Sequence, residues 1–369
     1  MASTVSSQRV VNFSPGPAVL PIPVLEQIRD EMLCLPGAGC SLLEVSHRDK
    51  SFLDILHGAE ATLRNLLRID DDYAVLFVQG GSRLQFSMVA ANLLRGQGNA
   101  AEYLVTGSWS KYAVAEASKE GAANVSWDGK GSNYSGLPEA GDVKVAEDSA
   151  YLYYCSNETI QGVQFPSEPA CPASVPLVCD ASSDFLSRAL EVRKYGVLFA
   201  CAQKNAGPSG VTVVIIRKDL LARGDAGLPG YLLYRNHAEN DSSWNTPPTF
   251  AIYALGLVAK WLEGQGGLAA VEANNRRKAE LLYQVIDSYP SFYQGHAAAN
   301  CRSLMNVTFR LPSDALQAEF LRSAEAEGLC NLKGHRSVGG IRASIYNAMP
   351  VEGVSALAAL MRQFAAGRA

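Results

Sequence analysis

The hydrophobic positions of the chain change their spacing repeatedly between about residue 73 and residue 217. Six short runs are rich in β-branched and aromatic residues and predict buried strands: YAVLFVQ, AEYLVTG, AYLYYCSN, VPLVCDA, GVLFACAQ and VTVVIIRK. Helix-like segments follow the first two runs, namely SRLQFSMVAANLLR and SWSKYAVAEASKE. This alternation predicts a mostly parallel sheet that is covered by helices on both faces.

The pattern changes after about residue 250. Two long amphipathic helices are predicted there, in TFAIYALGLVAKWLEG and GLAAVEANNRRKAELLYQVIDSY. A smaller unit follows in the order strand, helix, strand, helix, from SLMNVTFRL to VEGVSALAALMRQFAAG, and predicts a second α/β domain. Just before these helices, Pro247 and Pro248 block helix and ladder alike, so NTPPTF is predicted to be an exposed or partner-facing loop.

The composition is that of a globular protein of enzyme size. The chain has 369 residues, of which 48% are hydrophobic, and a formal net charge of −4 with dispersed lysines and arginines, so no nucleic-acid or anionic-membrane partner is expected. The eight cysteines form no CxxC pair, which is typical of reduced thiols and predicts a cytoplasmic protein. Neither a secretory signal nor a membrane-spanning run of about 18 apolar residues is recognisable.

Ligands of open α/β sheets collect at the carboxyl ends of the strands, so the residues after each predicted strand are the first candidates for a site. Lys204 follows the fifth run and precedes the tight turn NAGPSG, and Asp180 closes the fourth run. Each has an ordinary explanation, since most lysines at strand ends are structural and Asp180 could cap a helix through Ser182 and Ser183. A carboxylate that ends so apolar a strand nevertheless needs a charged or hydrogen-bonded partner.

Three further strand ends carry polar or aromatic residues. Residues 80–83, Gly-Gly-Ser-Arg, follow the first run and open a helix, where free N–H groups attract phosphate, although a tight turn without a ligand is the commoner case. Trp109 follows the second run and is either a core residue or a flat face for an aromatic ligand. Residues 158–162 form a polar cluster after the third run, which ordinary loop chemistry also explains.

One cofactor would use these strand ends together. A lysine amine forms a Schiff base with an aldehyde, and pyridoxal phosphate is the cofactor that exploits this reaction. In this interpretation Asp180 keeps the pyridine nitrogen protonated, the turn at residues 80–83 binds the phosphate, and Trp109 stacks on the ring. The residues and their order along the chain predict a pyridoxal-phosphate enzyme, with no metal site expected.

Six segments resemble one enzyme family closely: NFSPGPAVLP, EVSHRDKSF, NETIQGVQFP, AQKNAGPSG, WNTPPTFAIY and GHRSVGGIRASIYNAMP. They are similar to the phosphoserine aminotransferase family of the class V aminotransferase group, and the resemblance runs from about Asn12 to the C-terminus. It implies the α/β fold of fold-type I pyridoxal-phosphate transferases, with a mostly parallel seven-stranded sheet. The large domain is expected at residues 20–268 and the small domain at residues 1–19 and 269–369. A homodimer with active sites at the subunit interface is also implied.

The resemblance assigns the residues around the cofactor ring. Lys204 is expected to form the Schiff base and Asp180 to pair with the pyridine nitrogen, so these two are the expected catalytic residues. Trp109 is expected to stack on the ring, and Thr159 to hydrogen-bond the ring hydroxyl.

The phosphate of the cofactor is assigned to two groups of residues. Ser82 and Arg83 are expected to bind it largely through backbone N–H groups, helped by the side chain of Gln203. Asn245 and Thr246 are expected to reach the phosphate of the neighbouring subunit's cofactor, which would explain an ordered Pro-Pro loop.

The implied reaction interconverts 3-phosphohydroxypyruvate and L-glutamate with O-phospho-L-serine and 2-oxoglutarate, in serine biosynthesis. Both starting substrates carry at least two negative charges, and arginine meets carboxylate and phosphate bidentately. The resemblance assigns Arg342 to the α-carboxylate, and His47, Arg48, His335 and Arg336 to the distal anion. Each of these alone would be expected at a solvated surface, but two His-Arg dipeptides inside matching segments favour the assignment.

Other functions are weighed against this one. An aminotransferase for alanine or serine and glyoxylate would not need two His-Arg pairs, because its substrates lack a distal anion. A cysteine desulfurase needs a nucleophilic cysteine on a mobile loop, and neither Cys301 nor Cys330 lies in a glycine-rich segment. A binding protein without catalytic activity would be expected to have lost Lys204 or Asp180.

Overall fold

The computed structural model describes residues 9–139 and 141–368 of the chain. Its strands, in chain order, are β1 (Val11–Asn12), β2 (Tyr73–Val78), β3 (Ala101–Val105), β4 (Ala123–Asp128), β5 (Leu152–Cys155), β6 (Asn157–Glu158), β7 (Val163–Gln164), β8 (Leu177–Asp180), β9 (Val197–Cys201), β10 (Thr212–Arg217), β11 (Gln294–Gly295), β12 (Asn306–Arg310), β13 (Leu329–Cys330) and β14 (Ile341–Ser344). Its α-helices are α1 (Ile22–Glu31), α2 (Lys50–Leu67), α3 (Gly81–Leu93), α4 (Ser108–Ala117), α5 (Tyr234–Glu239), α6 (Thr249–Gly264), α7 (Gly267–Ser288), α8 (Asp314–Ala326) and α9 (Val351–Ala365).

A seven-stranded sheet in the order β2-β10-β9-β8-β5-β3-β4 forms the centre of the larger part of the chain. Its strands are parallel except β10, which is antiparallel to both of its neighbours. The predicted mostly parallel sheet is therefore confirmed, and each of the six predicted strands is present. The strand that the apolar runs did not predict is β4, which lies at the sheet edge and buries none of its residues fully.

Helices pack on both faces of this sheet, as the alternation of elements predicts. Along β10, Val213 and Ile215 point into one core, which they share with α2 and α6. Val214 and Ile216 point into the opposite core, which they share with α3 and α4. This period of two is what a strand covered on both faces requires.

A second, smaller sheet joins β11, β12 and β14 in antiparallel order, and β1 pairs with β13 in parallel. The hydrophobic core around it combines Phe13 with residues between Ala279 and Ala365. The predicted order of strand, helix, strand, helix corresponds to β12, α8, β14 and α9. The two-domain division stays a prediction, which this separate core supports, and residues 1–8 of the predicted small domain lie outside the described residues.

The long helix α7 contributes to both cores. Leu268 and Val271 near its start belong to the core of the large sheet, and Leu282 and Val285 belong to the smaller core. Residues 245–248, with the two prolines, form the predicted irregular loop, but Thr249 and Phe250 of the same segment already belong to α6 and Pro247 is buried. Within the described ranges, no helix is both long enough and apolar enough to cross a lipid bilayer.

Candidate active site

A cavity of about 230 Å³ lies at the carboxyl edge of the large sheet. It is lined by residues that end or follow strands β2, β3, β5, β8 and β9: Gly80, Gly81, Ser82, Arg83, Trp109, Cys155, Asn157, Thr159, Asp180, Ser182, Ser183, Cys201, Gln203 and Lys204. All of the residues predicted around the cofactor are therefore brought together, except Asn245 and Thr246. The rule that ligand sites lie beyond the carboxyl ends of parallel strands explains this convergence.

The amine of Lys204 is held inside this cavity by the fold. Nζ donates a hydrogen bond to Oγ1 of Thr159 at 2.5 Å and lies 5.5 Å from the centroid of the Trp109 ring. The backbone next to the lysine is also fixed, because the carbonyl oxygen of Gln203 accepts from the N–H of Ala18 at 3.0 Å. A primary amine over an aromatic face, with one hydroxyl partner, is placed to react with a carbonyl group in the cavity.

Asp180, the last residue of β8, is a nearly buried carboxylate with 3% of its surface exposed. Its Oδ1 accepts hydrogen bonds from the N–H of Ser182 at 2.9 Å and from its hydroxyl at 2.5 Å. Burial raises the pKa of Asp180, and these bonds and the charge of Lys204 oppose the rise. No helix begins here, since residues 182–186 form turns, so the capping alternative does not apply. Oδ2 accepts no hydrogen bond from the described residues and remains for a ligand.

The start of helix α3 forms another side of the cavity. The N-cap residue Gly80 has φ +91° and provides no side-chain cap, so the first N–H groups of α3 are left for an anion. A side chain at Gly80 would also collide with Leu84, because its Cβ would lie 2.4 Å from Cδ2 of that leucine. The hydroxyls of Ser82 and Ser182 are 2.5 Å apart, which ties this turn to Asp180.

The Arg83 side chain packs against two aromatic rings. Its guanidinium carbon lies 3.9 Å from the centroid of the Tyr112 ring and 5.5 Å from that of Trp109. Stacking of this kind occupies the guanidinium. The geometry therefore favours backbone N–H groups, rather than this side chain, as anion donors at residue 83.

Glu158 is a buried residue of the site whose role the sequence did not predict. Its side chain is 0% exposed, and it receives the N–H of Trp109 at 2.9 Å, the N–H of Ser110 at 2.9 Å and the hydroxyl of Ser110 at 2.6 Å. Burial raises the pKa of Glu158, and the bonds from Ser110 and Trp109 oppose that rise. Gly107 makes the approach possible, since a Cβ there would lie 2.5 Å from Cδ of Glu158.

Glu158 thus anchors the first turn of α4 and with it the Trp109 ring. The sequence does contain a polar cluster at residues 158–162, but the partners of the carboxylate lie 48 and 49 positions away along the chain. A pairing over such a separation leaves no local pattern that could have identified it.

A group of basic residues lies next to this cavity, on strand β14 and in the loop before it. Arg342 on β14 is 7% exposed, has no hydrogen-bond partner for its buried Nε, and has a pKa lowered by burial. His335 lines a small pocket with Arg342 and Ile160, the residue after Thr159. Burial and the charges of Arg342 and Arg336 lower the pKa of His335. The structure therefore brings three of the predicted substrate residues close together.

Four other predicted residues line neither the cavity nor the pocket of His335 and Arg342. His47 and Arg48 lie in turns before α2, and Arg48 is exposed. Asn245 and Thr246 lie exposed in the loop before α6, where Nδ2 of Asn245 donates to Oε1 of Gln79 at 2.9 Å. Their predicted roles, including those across a subunit interface, stay predictions.

The cavity fits the cofactor that the sequence predicts. Its three functional parts are an amine at Lys204, a free carboxylate oxygen at Asp180 and an uncapped helix start at Gly81. Trp109 lines the cavity and so can offer its ring to a flat ligand. These donors and acceptors match an aldehyde, a ring nitrogen and a phosphate.

Comparisons with known proteins identify the family of the chain. Residues 10–357 match the family model described as aminotransferase class-V. The chain is similar to the phosphoserine aminotransferase of Rhodopirellula baltica (strain DSM 10527), with 63% identity over 97% of this chain and 96% of that protein. A solved phosphoserine aminotransferase from Bacillus circulans subsp. alkalophilus is similar with a TM-score of 0.95 and 45% identity. The match covers 98% of this chain and 100% of that one. A PLP-bound phosphoserine aminotransferase from Trichomonas vaginalis has a TM-score of 0.91 and 42% identity, covering 96% and 100% of the two chains.

Proposed function

The chain belongs to the class-V aminotransferase family, and we propose that it acts as a phosphoserine aminotransferase. It exchanges an amino group between L-glutamate and 3-phosphohydroxypyruvate and so yields 2-oxoglutarate and O-phospho-L-serine, a step of serine biosynthesis. The observation that carries this proposal is the lysine-and-aspartate cavity with the arginine Arg342 beside it, which forms no ion pair within the described residues.

The cofactor is pyridoxal phosphate. When bound, it supplies an electron-accepting ring that stabilises negative charge at the Cα of a substrate. Lys204 holds the cofactor's aldehyde carbon and, once released, its amine moves the proton of Cα. Asp180 keeps a proton on the ring nitrogen through the oxygen left unbonded in the fold. Trp109 covers one face of the ring, and the hydroxyl of Thr159 orients first the lysine amine and then the ring hydroxyl.

The phosphate group belongs at the start of α3. The free N–H groups of Ser82 and Arg83 and the positive end of the helix dipole favour a dianion there. Gln203, which also lines the cavity, adds a side-chain donor. The Ser82–Ser182 contact keeps this end at a fixed separation from Asp180.

The substrates are bound through their charges. Arg342 meets the α-carboxylate, which both substrates share, and it is already desolvated, so a bidentate bond forms in surroundings of low polarity. His335 and Arg336, with His47 and Arg48, bind the distal phosphate or carboxylate. A pocket with several cations selects substrates that carry a second anion.

The active protein is a homodimer in this proposal. Asn245 and Thr246 reach the cofactor phosphate of the other subunit, and the exposed position of this loop supports that assignment. Trp244 in the same loop is 47% exposed, which is unusual for so large an apolar side chain unless a partner covers it. All eight cysteines are free thiols, which fits the reducing environment of the cytoplasm.

A half-reaction tests the substrate. Glutamate added alone should remove the visible absorption band of the bound cofactor, and the 2-oxo acid that restores the band is the physiological acceptor. We expect 3-phosphohydroxypyruvate to restore it at much lower concentration than pyruvate or glyoxylate. Preferential restoration by glyoxylate would instead identify an aminotransferase of the alanine or serine and glyoxylate type.

A further inference from the structure

Helix α7 carries a lysine where its spacing requires an apolar side chain. Lys278 shares a buried helix face with Val271, Asn275, Leu282 and Val285. Its own side chain is 0% exposed. Burial is the one influence that shifts the pKa of Lys278 among the described residues, so no carboxylate accompanies it. An amine in a core without a partner charge requires other acceptors.

Four backbone carbonyl oxygens provide those acceptors. Nζ of the lysine lies within hydrogen-bond distance of four oxygens, which share its N–H donors: those of Tyr346 (2.6 Å), Ile345 (3.1 Å), Met349 (3.2 Å) and Asn347 (3.4 Å). All four belong to one irregular segment, residues 345–349, which continues directly from β14. Convergent carbonyl oxygens repel one another unless a donor lies between them, so the amine of Lys278 stabilises this conformation of the segment.

The same segment contacts the turn that carries Lys204. The N–H of Asn347 donates to Oδ1 of Asn205, the residue after Lys204, at 2.9 Å. Asn275, one turn before Lys278 on α7, donates through Nδ2 to Oδ1 of Asn347 at 2.8 Å. Helix α7 therefore holds Asn347 from one side while Asn205 holds it from the other.

The other end of the segment leads to the substrate site. Arg342 lies on β14 three positions before Ile345, so the segment holds the chain directly after the strand that carries this arginine. Residues 345–349 are thus a short connection between the arginine on the small sheet and the lysine on the large one. A displacement of either end of this segment would change the distance between Arg342 and Lys204.

We infer that Lys278 is a positioning residue for transamination, which fixes residues 345–349 and thereby sets Arg342 at the correct distance from Lys204. This inference rests on the proposed function. Since Arg342 would bind the carboxylate that both substrates share, loss of Lys278 should raise the KM values for glutamate and 3-phosphohydroxypyruvate together. Small displacements of positioning groups lower kcat/KM by up to about 100-fold, so we expect a rise in KM of about 10- to 100-fold with kcat within about 3-fold of the parent.

The main test is Lys278→Met, which keeps the length of the side chain but removes its donors. Arg277→Met is the matched control, because Arg277 is the exposed neighbour on the same helix. Phe364→Leu is a second control, since it weakens the small core where the Phe364 ring packs against Phe292 and Phe320. At a temperature where all variants are folded, only Lys278→Met should raise both KM values. Phe364→Leu should lower the melting temperature and leave both KM values at the parental level.

Hydrogen–deuterium exchange provides a readout that does not depend on turnover. In Lys278→Met, peptides that cover residues 345–349 and 205–207 should exchange faster than in the parent, and in Arg277→Met they should not. If Lys278→Met does not fold, Asn205→Ala carries the test, because it removes the acceptor of the Asn347 N–H and should raise both KM values.

Parental KM values in Lys278→Met, or in Asn205→Ala where the first variant is unfolded, would overturn the inference. So would unchanged exchange at residues 205–207. Failure of the proposed function is a different result, since the parent itself would then show no transfer from glutamate to the phosphorylated 2-oxo acid. The exchange experiment would still decide whether Lys278 holds the connection to the Lys204 turn.

Discussion

Lys204 and Thr159 lie 45 positions apart in the sequence, yet Nζ of the lysine donates to Oγ1 of the threonine at 2.5 Å. The contact joins the turn after β9 to the turn after β6, and it places the amine 5.5 Å from the centre of the Trp109 ring. A long, flexible side chain is thereby restricted to one region of the cavity. Preorganisation of this kind lowers the entropy that a reacting amine would otherwise lose.

Lys204→Ala should abolish transamination and leave the fold intact. The lysine is both the covalent attachment and the base at Cα, and loss of a positioned acid–base group alone costs about 10²–10⁴-fold in rate. Single-turnover assays with added cofactor measure the loss, and circular dichroism checks the fold. Lys218→Ala, at an exposed lysine beyond β10, should keep parental activity. Normal turnover by Lys204→Ala would remove the basis of the proposed mechanism.

Asp180→Asn should bind the cofactor but react slowly. The substitution keeps the shape and removes the charge that holds a proton on the ring nitrogen, so kcat should fall by at least about 10²-fold. Asp184→Asn is the control, because Asp184 is also a buried carboxylate but does not line the cavity. Asp184→Asn should change the free energy of unfolding more than it changes kcat. A rate for Asp180→Asn within a few-fold of the parent would reduce Asp180 to a structural role.

Arg48→Leu and Arg336→Leu should discriminate between substrates, whereas Arg342→Leu should not. A charge-assisted bond contributes about 1.5–3 kcal/mol, so each of the first two variants should lower kcat/KM for phosphoserine and glutamate by about 10- to 100-fold. Alanine, which lacks a distal anion, should be spared, and Arg342→Leu should affect all three substrates. Equal losses on alanine and phosphoserine in the first two variants would place the distal anion elsewhere.

Glu158→Gln should disturb the Trp109 ring. The amide has one acceptor oxygen where the carboxylate has two, so a buried N–H loses its partner at a cost of about 1–3 kcal/mol in unfolding free energy. Visible circular dichroism of the bound cofactor should change with it. Ser118→Ala, which removes a hydroxyl at the exposed end of α4, should leave both measurements at the parental level. An unchanged dichroism spectrum in a destabilised Glu158→Gln protein would show that the glutamate supports the helix alone.

The stability of the protein should depend on pH through Lys278. Burial lowers the pKa of Lys278 to about 7, below its ordinary value, so between that pH and about 10.4 the unfolded chain binds a proton that the folded chain has released. The unfolding free energy of the parent, relative to Lys278→Met, should therefore rise with pH across this window by about 1.4 kcal/mol per unit. Denaturant titrations at several pH values measure this difference. A difference that does not vary with pH would mean that the four carbonyls keep the amine charged.

The cavity could be predicted because its residues follow strands. Ser82, Trp109, Asp180 and Lys204 each come directly after an apolar run, and parallel strands bring such positions to one edge. The same rule does not identify contacts between residues that are close in space but distant in the sequence. Glu158 was recognised as polar, but nothing near it in the sequence shows that its partners are the N–H groups at the start of α4.

Two features of the large sheet could not be predicted from the sequence, and the reasons differ. Strand β4 contains Asn124, Val125 and Ser126 at half-exposed or exposed edge positions, so it lacks the apolar run that identifies a central strand. Strand β10 has such a run, but an apolar run predicts burial on both faces and carries no information on direction. That β10 runs antiparallel to β2 and β9 follows from the connections of the whole chain.

The sequence does contain a signal for the burial of Lys278. It falls three positions after Asn275 and four before Leu282, on the face that the helical period assigns to the core. A lysine at such a position indicates either a different helix face or a buried amine with special partners. The choice between them needs the carbonyls of residues 345–349, which lie more than sixty positions away.

The burial of Phe13 in the small core has a consequence for biosynthesis of the chain. Because the other members of that core lie between Ala279 and Ala365, a ribosome must finish most of the polypeptide before this phenylalanine finds its neighbours. The large sheet, in contrast, has all of its strands once Arg217 has emerged. We expect the large sheet to form first, before the N-terminal residues have found their partners. A nascent chain that stops before α9 should therefore expose Phe13 to chaperones.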